Sequence, residues 1–125
     1  YEDSSIDCII DCECIYANSL SSSVAILSEL KRVLKKDGLF FSMTFSDKTY
    51  GYNKGEPYNN EQNTFINLSE GAFHSGYGVI RFTTKDEIDA LYGSIFDVYN
   101  VETLSRTINN SKNIVDEWLI SCRHQ

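Results

Sequence analysis

Residues 6–45 decide the fold, and they read IDCIIDCECIYANSLSSSVAILSELKRVLKKDGLFFSMTF. The first seven are short, β-branched and apolar at their centre, which is typical of a strand covered on both faces. Apolar residues then recur at helical spacing from Val24 to Leu34. Residues 39–45 form a second apolar run. The order strand, helix, strand predicts a parallel crossover, which is one unit of a doubly wound α/β sheet.

Local signals predict where the central helix begins and ends. The serine-rich turn at 18–23 contains residues that cap helices. Lys35 and Lys36 are expected in the last turn, where cations interact favourably with the helix dipole. Gly38 is expected to adopt the left-handed conformation that closes a helix.

Residues 46–81 form a long connection with five glycines, four tyrosines and the only proline of the chain. A connection of this length inside a compact domain usually forms a lid or a binding loop. We therefore expect a substrate-side loop or insertion here. Residues 64–68 and 78–82 have the composition of short strands that could pair with each other.

The C-terminal third predicts a short helix and a hairpin. Thr84 and Glu87 have the spacing of a capping box, which starts a helix at Lys85. Residues 96–104 and 114–123 are strand candidates, and the asparagine-rich stretch at 109–113 is typical of a turn. These two strands are expected to pair antiparallel.

The composition excludes several classes of partner. A net charge of −7 and a pI of about 4.7 argue against a nucleic acid or an anionic membrane as partner. No segment approaches the length of a membrane span, and no signal peptide is visible, so a cytoplasmic protein is expected. The spacing of Cys8, Cys12, Cys14 and Cys122 does not match a zinc site. Buried free cysteines and no bound metal are the expectation.

Three motifs in this order give a family resemblance. Residues 3–10 read DSSIDCII, residues 30–38 read LKRVLKKDG, and residues 117–123 read EWLISCR. Together they resemble the C-terminal half of class I S-adenosylmethionine-dependent methyltransferases of the type-11-like group. The resemblance implies that 1–125 is half of a Rossmann-like methyltransferase domain and supplies strands four to seven of its partial doubly wound sheet. The glycine-rich cofactor loop and the ribose-binding acid of the family have no counterpart in this sequence.

The resemblance also implies a function and a set of site residues. The complete enzyme would transfer a methyl group from S-adenosylmethionine to a small molecule, and the isolated chain would be inactive. The family's turn after strand four borders the methionine part of the cofactor, which corresponds to Asp11, Cys12 and Glu13. Tyr16 and Asn18 match positions that often face the substrate.

The acceptor pocket is expected to involve the long connection. Tyr50, Tyr52 and His74 are its candidate substrate-binding residues. His74 is also the candidate catalytic base, because histidine accepts a proton near neutral pH. Methyl transfer depends mainly on in-line placement of the reactants, so a base is not indispensable.

Two other functions remain open at this point. The chain could be a non-enzymatic, methyltransferase-like binding or assembly module, or a piece of another Rossmann-type enzyme. If the strand Ile6–Cys12 has no neighbour on one side, its unpaired backbone groups favour self-association.

Overall fold

The computed structural model describes residues 1–72 and 78–125, which form an α/β fold with two helices. In chain order the elements are β1 (Ile6–Cys12), a 3-10 turn (Ile15–Ala17), α1 (Leu20–Val33), β2 (Leu34–Phe45), β3 (Glu56–Pro57), β4 (Thr64–Ile66), β5 (Val79–Arg81), α2 (Lys85–Leu91), β6 (Asp97–Ile108) and β7 (Asn113–Arg123). The two helices lie within the described ranges, and neither is long and apolar enough to cross a lipid bilayer.

The main sheet is mixed, with strand order β1-β2-β7-β6. β1 and β2 pair in parallel, with Cys8 opposite Leu39, so the predicted parallel crossover through α1 is confirmed. β7 lies antiparallel between β2 and β6. Residues Asn109, Asn110 and Ser111 between β6 and β7 all have positive φ angles, which asparagine tolerates better than most residues.

The helices cover only one face of this sheet. α1 and α2 share a core with the strands, and it comprises Ile15, Leu27, Leu34, Phe40, Ile88, Leu91, Tyr92, Phe96, Ile120 and Cys122. On the opposite face the side chains of Cys8 and Cys12 are exposed, and that of Ile10 is 75% exposed. The expectation that β1 is covered on both faces is therefore wrong for this chain, because both helices pack on the same side.

The end of α1 differs from the sequence prediction. The helix ends at Val33, so the basic residues of its last turn are Lys31 and Arg32, whereas Lys35 and Lys36 belong to β2. The left-handed residue is Asp37, with a φ of 61°, and not Gly38. The glycine has a different role, because a Cβ atom at position 38 would lie 2.7 Å from the carbonyl oxygen of Lys35. Because Gly38 has no side chain, its backbone can lie close to the carbonyl group of Lys35.

The connection 46–81 contains a second, three-stranded antiparallel sheet of order β3-β4-β5. Phe65 of β4 lies opposite Ile80 of β5, which confirms the predicted pairing of these segments. The small sheet joins the main one through the amide of Thr83, which donates to the carbonyl oxygen of Phe45 at 2.8 Å. The small sheet shares a mostly aromatic core with the main sheet and the 3-10 turn. This core comprises Tyr16, Phe45, Phe65, Leu68, Ile80, Phe82 and Val115.

The predicted capping box of α2 is confirmed. The side chain of Thr84 accepts a hydrogen bond from the amide of Glu87, and the Glu87 carboxylate accepts one from the amide of Thr84 at 2.7 Å. Both bonds satisfy amides that the first helical turn leaves without an intrahelical partner. α2 therefore starts at Lys85, as the sequence indicates.

Candidate functional site at the carboxyl edge

The loop after β1 lies where the parallel strands β1 and β2 both end. The amide of Glu13 donates to the carbonyl oxygen of Met43 at 3.0 Å, which extends the pairing by one residue. Glu13 then adopts a φ of 59°, which turns the chain into the short helix at Ile15. A non-glycine residue in this conformation needs support from its surroundings.

Asp11 supplies that support. One carboxylate oxygen accepts hydrogen bonds from the amides of Cys14 at 3.0 Å and Ile15 at 3.3 Å. The other accepts from the hydroxyl of Ser42 at 2.6 Å, and that hydroxyl lies 3.0 Å from the hydroxyl of Tyr92. Asp11 is only 8% exposed, so its carboxylate holds the loop from inside rather than facing solvent. Burial raises the pKa of Tyr92, which therefore stays protonated and can donate within this network.

Two carboxyl groups meet beside this loop. Glu117 lies on β7 opposite Phe45 at the end of β2, and it is 2% exposed. Burial, together with a hydrogen bond to the side chain of Glu13, raises the pKa of Glu117 to about 7. Such a bond requires one carboxyl to hold a proton. The Oε1 atom of Glu117 is buried and finds no hydrogen-bond partner among the described residues.

The sequence interpretation did not identify Glu117. The available signal was the acidic pair Asp116–Glu117 inside an otherwise apolar strand, because charged residues are seldom fully buried without a partner or a role. Asp116 has a structural role, since it accepts hydrogen bonds from the hydroxyls of Ser46 and Ser105. Glu117 is the member of the pair whose carboxyl group lies beside the loop after β1.

Tyr16 and Asn18 lie next to the same loop. Tyr16 is 2% exposed, and its ring centroid is 4.5 Å from that of Phe45. Burial, together with the negative charge of Glu13, raises the pKa of the Tyr16 hydroxyl to about 12. The side-chain amide of Asn18 donates to the carbonyl oxygen of Cys14 at 2.9 Å, so it closes the short helix, while Ser19 caps α1.

Tyr50 and Tyr52 of the long connection have internal partners. The hydroxyl of Tyr50 donates to Glu70 at 2.9 Å, and the hydroxyl of Tyr52 donates to Asn63 at 2.8 Å. The ring of Tyr52 packs edge-on against Phe82 with centroids 5.6 Å apart. Tyr52 packs against the same aromatic core that contains Tyr16. His74 lies outside the described residues.

The cysteines differ from the sequence expectation. Cys8, Cys12 and Cys14 are exposed, and only Cys122 is buried. The expectation of buried cysteines is wrong for the first three. The face of β1 that carries Cys8 and Cys12 has no helix packed on it among the described residues, and Cys14 lies in the exposed loop after β1. Within the described part of the chain, no group of three potential metal ligands comes together.

Comparisons with known proteins give a fold and no sequence family. No protein-family model matches the sequence, and no curated protein does. The structure is similar to an S-adenosylmethionine-dependent methyltransferase from Methanosarcina mazei, with a TM-score of 0.76 and 16% identity over 98% of this chain and 61% of that chain. It is also similar to 1,6-didemethyltoxoflavin-N1-methyltransferase from Burkholderia thailandensis, which was crystallised with 1,6-didemethyltoxoflavin and S-adenosylhomocysteine bound. That match has a TM-score of 0.69 and 13% identity over 100% of this chain and 46% of that chain.

A third similar structure has another activity. It is the cyclase SpnF, with a TM-score of 0.63 and 12% identity over 98% of this chain and 52% of that chain. The chain thus spans between 46% and 61% of the length of these three proteins. At such low identities the likeness shows architecture only, and a fold can host several chemistries. The mixed sheet and these matches together show that the chain has the fold of the corresponding part of these S-adenosylmethionine-dependent methyltransferases.

Proposed function

We propose that the chain is the C-terminal part of an enzyme that transfers a methyl group from S-adenosylmethionine to a small molecule. One observation carries this proposal: the loop after β1, held by Asp11, lies at the carboxyl edge of a sheet with the methyltransferase fold. Ligands of open α/β sheets bind outside that edge. The Burkholderia neighbour is named for N-methylation of a small molecule, which supports an acceptor of this class.

The residues of the loop fit one end of the cofactor. S-adenosylmethionine supplies an electrophilic methyl group on a positively charged sulfur. Glu13 and Glu117 place carboxyl groups beside the loop, and a cationic ligand would be favoured there. In this proposal Cys12 and Glu13 border the methionine part, and Asp11 is a positioning residue because its carboxylate is already occupied.

The rest of the cofactor site would come from residues that this sequence does not contain. Neither a glycine-rich loop nor a ribose-binding acid is found in the 125 residues. The four strands would then be strands four to seven of the complete sheet, and β1 would pair with a further strand. We expect the chain alone to be inactive for this reason. A cytoplasmic location is part of the proposal, since exposed free cysteines suit a reducing compartment.

The acceptor side would be formed by the aromatic core and the connection 46–81. Tyr16 remains a proposed substrate-binding residue, since its ring belongs to the aromatic core beside the loop after β1. Asn18, Tyr50, Tyr52 and His74 remain the proposed substrate-binding residues. Glu117 joins His74 as a candidate proton acceptor, because a pKa of about 7 suits a general base near neutral pH.

Cofactor binding tests this proposal without knowledge of the acceptor. We would compare the chain with the polypeptide extended through the reading frame upstream of Tyr1, using calorimetry with S-adenosylmethionine. The extended protein should bind in the low micromolar range, and the chain alone should bind at least a hundredfold more weakly. Asp11→Asn in the extended protein should weaken binding about tenfold, because two amide partners in the loop lose a charged acceptor.

The matched control is Asp7→Asn on the same strand. Asp7 is exposed and pairs with Lys35, so its substitution should leave binding unchanged. Low-micromolar binding by the chain alone would contradict the idea that it is a fragment of the site. A folded extended protein that does not bind the cofactor would reject the methyltransferase proposal and favour a binding or assembly module.

A further inference from the structure

Arg81, at the end of β5, is buried without an ion-pair partner among the described residues. Its side chain is 1% exposed. One terminal nitrogen donates to the hydroxyl of Ser23 at 3.2 Å, whereas the Nε and Nη1 atoms find no hydrogen-bond partner in the described part of the chain. Buried polar groups are nearly always hydrogen-bonded, and a buried donor without an acceptor lowers the stability of the fold. The orphaned donors therefore call for a partner that the described residues do not supply.

A pocket of about 300 Å³ lies between the two helices at this point. Arg81 contributes to its lining, and aliphatic side chains from both helices form its walls. These are Leu20 and Val24 of α1 and Ala90 and Leu91 of α2. Leu20 and Val24 are 42% and 43% exposed, so the apolar wall is open to solvent. An apolar cavity with a few polar groups at defined positions has the usual anatomy of a small-molecule site.

The surrounding charges decide what kind of molecule would fit. Glu87 also lines the pocket, and its carboxylate is already engaged by Thr84 and Asn63. Glu61 accepts from the first amide of α1 at 2.7 Å. Both carboxylates act on Arg81 electrostatically, although neither forms an ion pair with it. A ligand with its own negative charge would be repelled by these two groups, whereas a neutral oxygen acceptor would not.

We propose that this pocket binds a small uncharged molecule with an apolar body and a carbonyl-type oxygen, which accepts hydrogen bonds from Arg81. The site goes beyond the proposed methyl transfer and is separate from the Asp11–Glu13 loop. It is nevertheless connected to that loop. The hydroxyl of Ser23 donates to the carbonyl oxygen of Ile15 at 3.3 Å, and the amide of Ile15 donates to Asp11. A ligand on Arg81 would thus act on the same short helix that Asp11 holds.

Methyl NMR titration of the chain tests the proposal with three small aromatic probes. Acetophenone has the carbonyl and the apolar body, benzoate adds a negative charge, and ethylbenzene lacks the oxygen. Acetophenone should give saturable shifts of the Leu20, Val24 and Leu91 methyl groups, and it should bind more tightly than either other probe. Arg81→Met should weaken acetophenone binding about fivefold and leave ethylbenzene binding unchanged.

Two further variants make the outcome decisive. Val24→Trp fills the open wall at a half-exposed position and should abolish the shifts even if Arg81→Met fails to fold. Arg123→Met removes an exposed arginine from β7 and should change nothing. Absence of saturable shifts, or equal affinity in the parent chain and in a folded Arg81→Met variant, would overturn the site. Tighter binding of benzoate than of acetophenone would overturn the assignment to an uncharged ligand.

Discussion

Replacing Glu117 with glutamine measures the free-energy cost of burying its charge. The native state raises the pKa of Glu117 from 4.5 to about 7, so it retains a proton that the unfolded chain releases. The contribution of this group to stability is therefore present below pH 4.5, and it is lost as the pH rises toward 7. That difference corresponds to about 3 kcal/mol above pH 7. Glutamine has nearly the same shape as glutamate and stays neutral at every pH. The variant therefore does not lose stability when the pH rises through the pKa of Glu117.

Urea unfolding at pH 5 and pH 8.5 gives the comparison. The fluorescence of the single tryptophan, Trp118, can report unfolding. Trp118 directly follows Glu117 in sequence, and its indole N–H donates to the carbonyl oxygen of Thr83 at 2.7 Å in the folded chain. Glu117→Gln should stabilise the chain by less than about 1 kcal/mol at pH 5 and by about 3 kcal/mol at pH 8.5. Comparing each variant with the parent at the same pH cancels the titration of the other carboxylates.

Glu102→Gln on β6 is the matched control, because Glu102 is an exposed glutamate of the same sheet. It should change stability by less than about 0.5 kcal/mol at both pH values. If Glu117→Gln gave the same difference from the parent at pH 5 and pH 8.5, folding would not raise the pKa of Glu117. The reasoning about its buried carboxyl would then be refuted.

Three further predictions concern the cap, the sheet edge and the long connection. Thr84→Ala should lower the free energy of unfolding by about 0.5–2 kcal/mol, because the amide of Glu87 loses its acceptor; an unchanged melting curve would argue against the cap. The chain should self-associate through β1, an edge strand of the main sheet, and Ile10→Lys should shift light scattering over a dilution series toward the 14.2 kDa monomer; a parent chain that is already monomeric at high concentration would reject this. In the extended protein, Tyr52→Phe and His74→Ala should alter acceptor kinetics more than cofactor affinity, and unchanged acceptor kinetics in both would leave the connection without a role in the site.

Signals confined to a few residues predicted local structure well. The Thr84–Glu87 spacing was sufficient for the capping box, because both hydrogen bonds lie within one turn. The pairing of β4 with β5 followed from two short apolar runs separated by glycines. The sequence did not predict which residue after α1 adopts the left-handed conformation. That residue is Asp37, whereas Gly38 is needed because a Cβ atom there would clash with Leu34 and Lys35. A glycine can serve either a positive φ or close packing, and its sequence context did not distinguish them.

Burial depended on contacts that the local sequence does not reveal. The cysteines of β1 have an apolar context in sequence, but whether they are covered depends on which side of the sheet the helices pack. Glu117 and Arg81 are further examples. Each lies in a segment that reads as an ordinary strand, and the structure buries each with a polar atom that has no partner among the described residues.

Asp11 shows why the place of a site is easier to predict than the role of its residues. The end of a parallel strand predicts where a ligand would lie, and Asp11 is at that position. Its role depends on the hydroxyl of Ser42, which donates to its carboxylate, and on Tyr92, whose hydroxyl lies 3.0 Å from that of Ser42. Ser42 and Tyr92 are 31 and 81 residues away in sequence, so this network forms only in the folded chain. With both oxygens engaged, Asp11 fixes the loop, and in the proposed site Cys12 and Glu13 are left to face the ligand. A substitution at Asp11 should therefore act on binding through the geometry of the loop, which the Asp11→Asn and Asp7→Asn comparison is designed to detect.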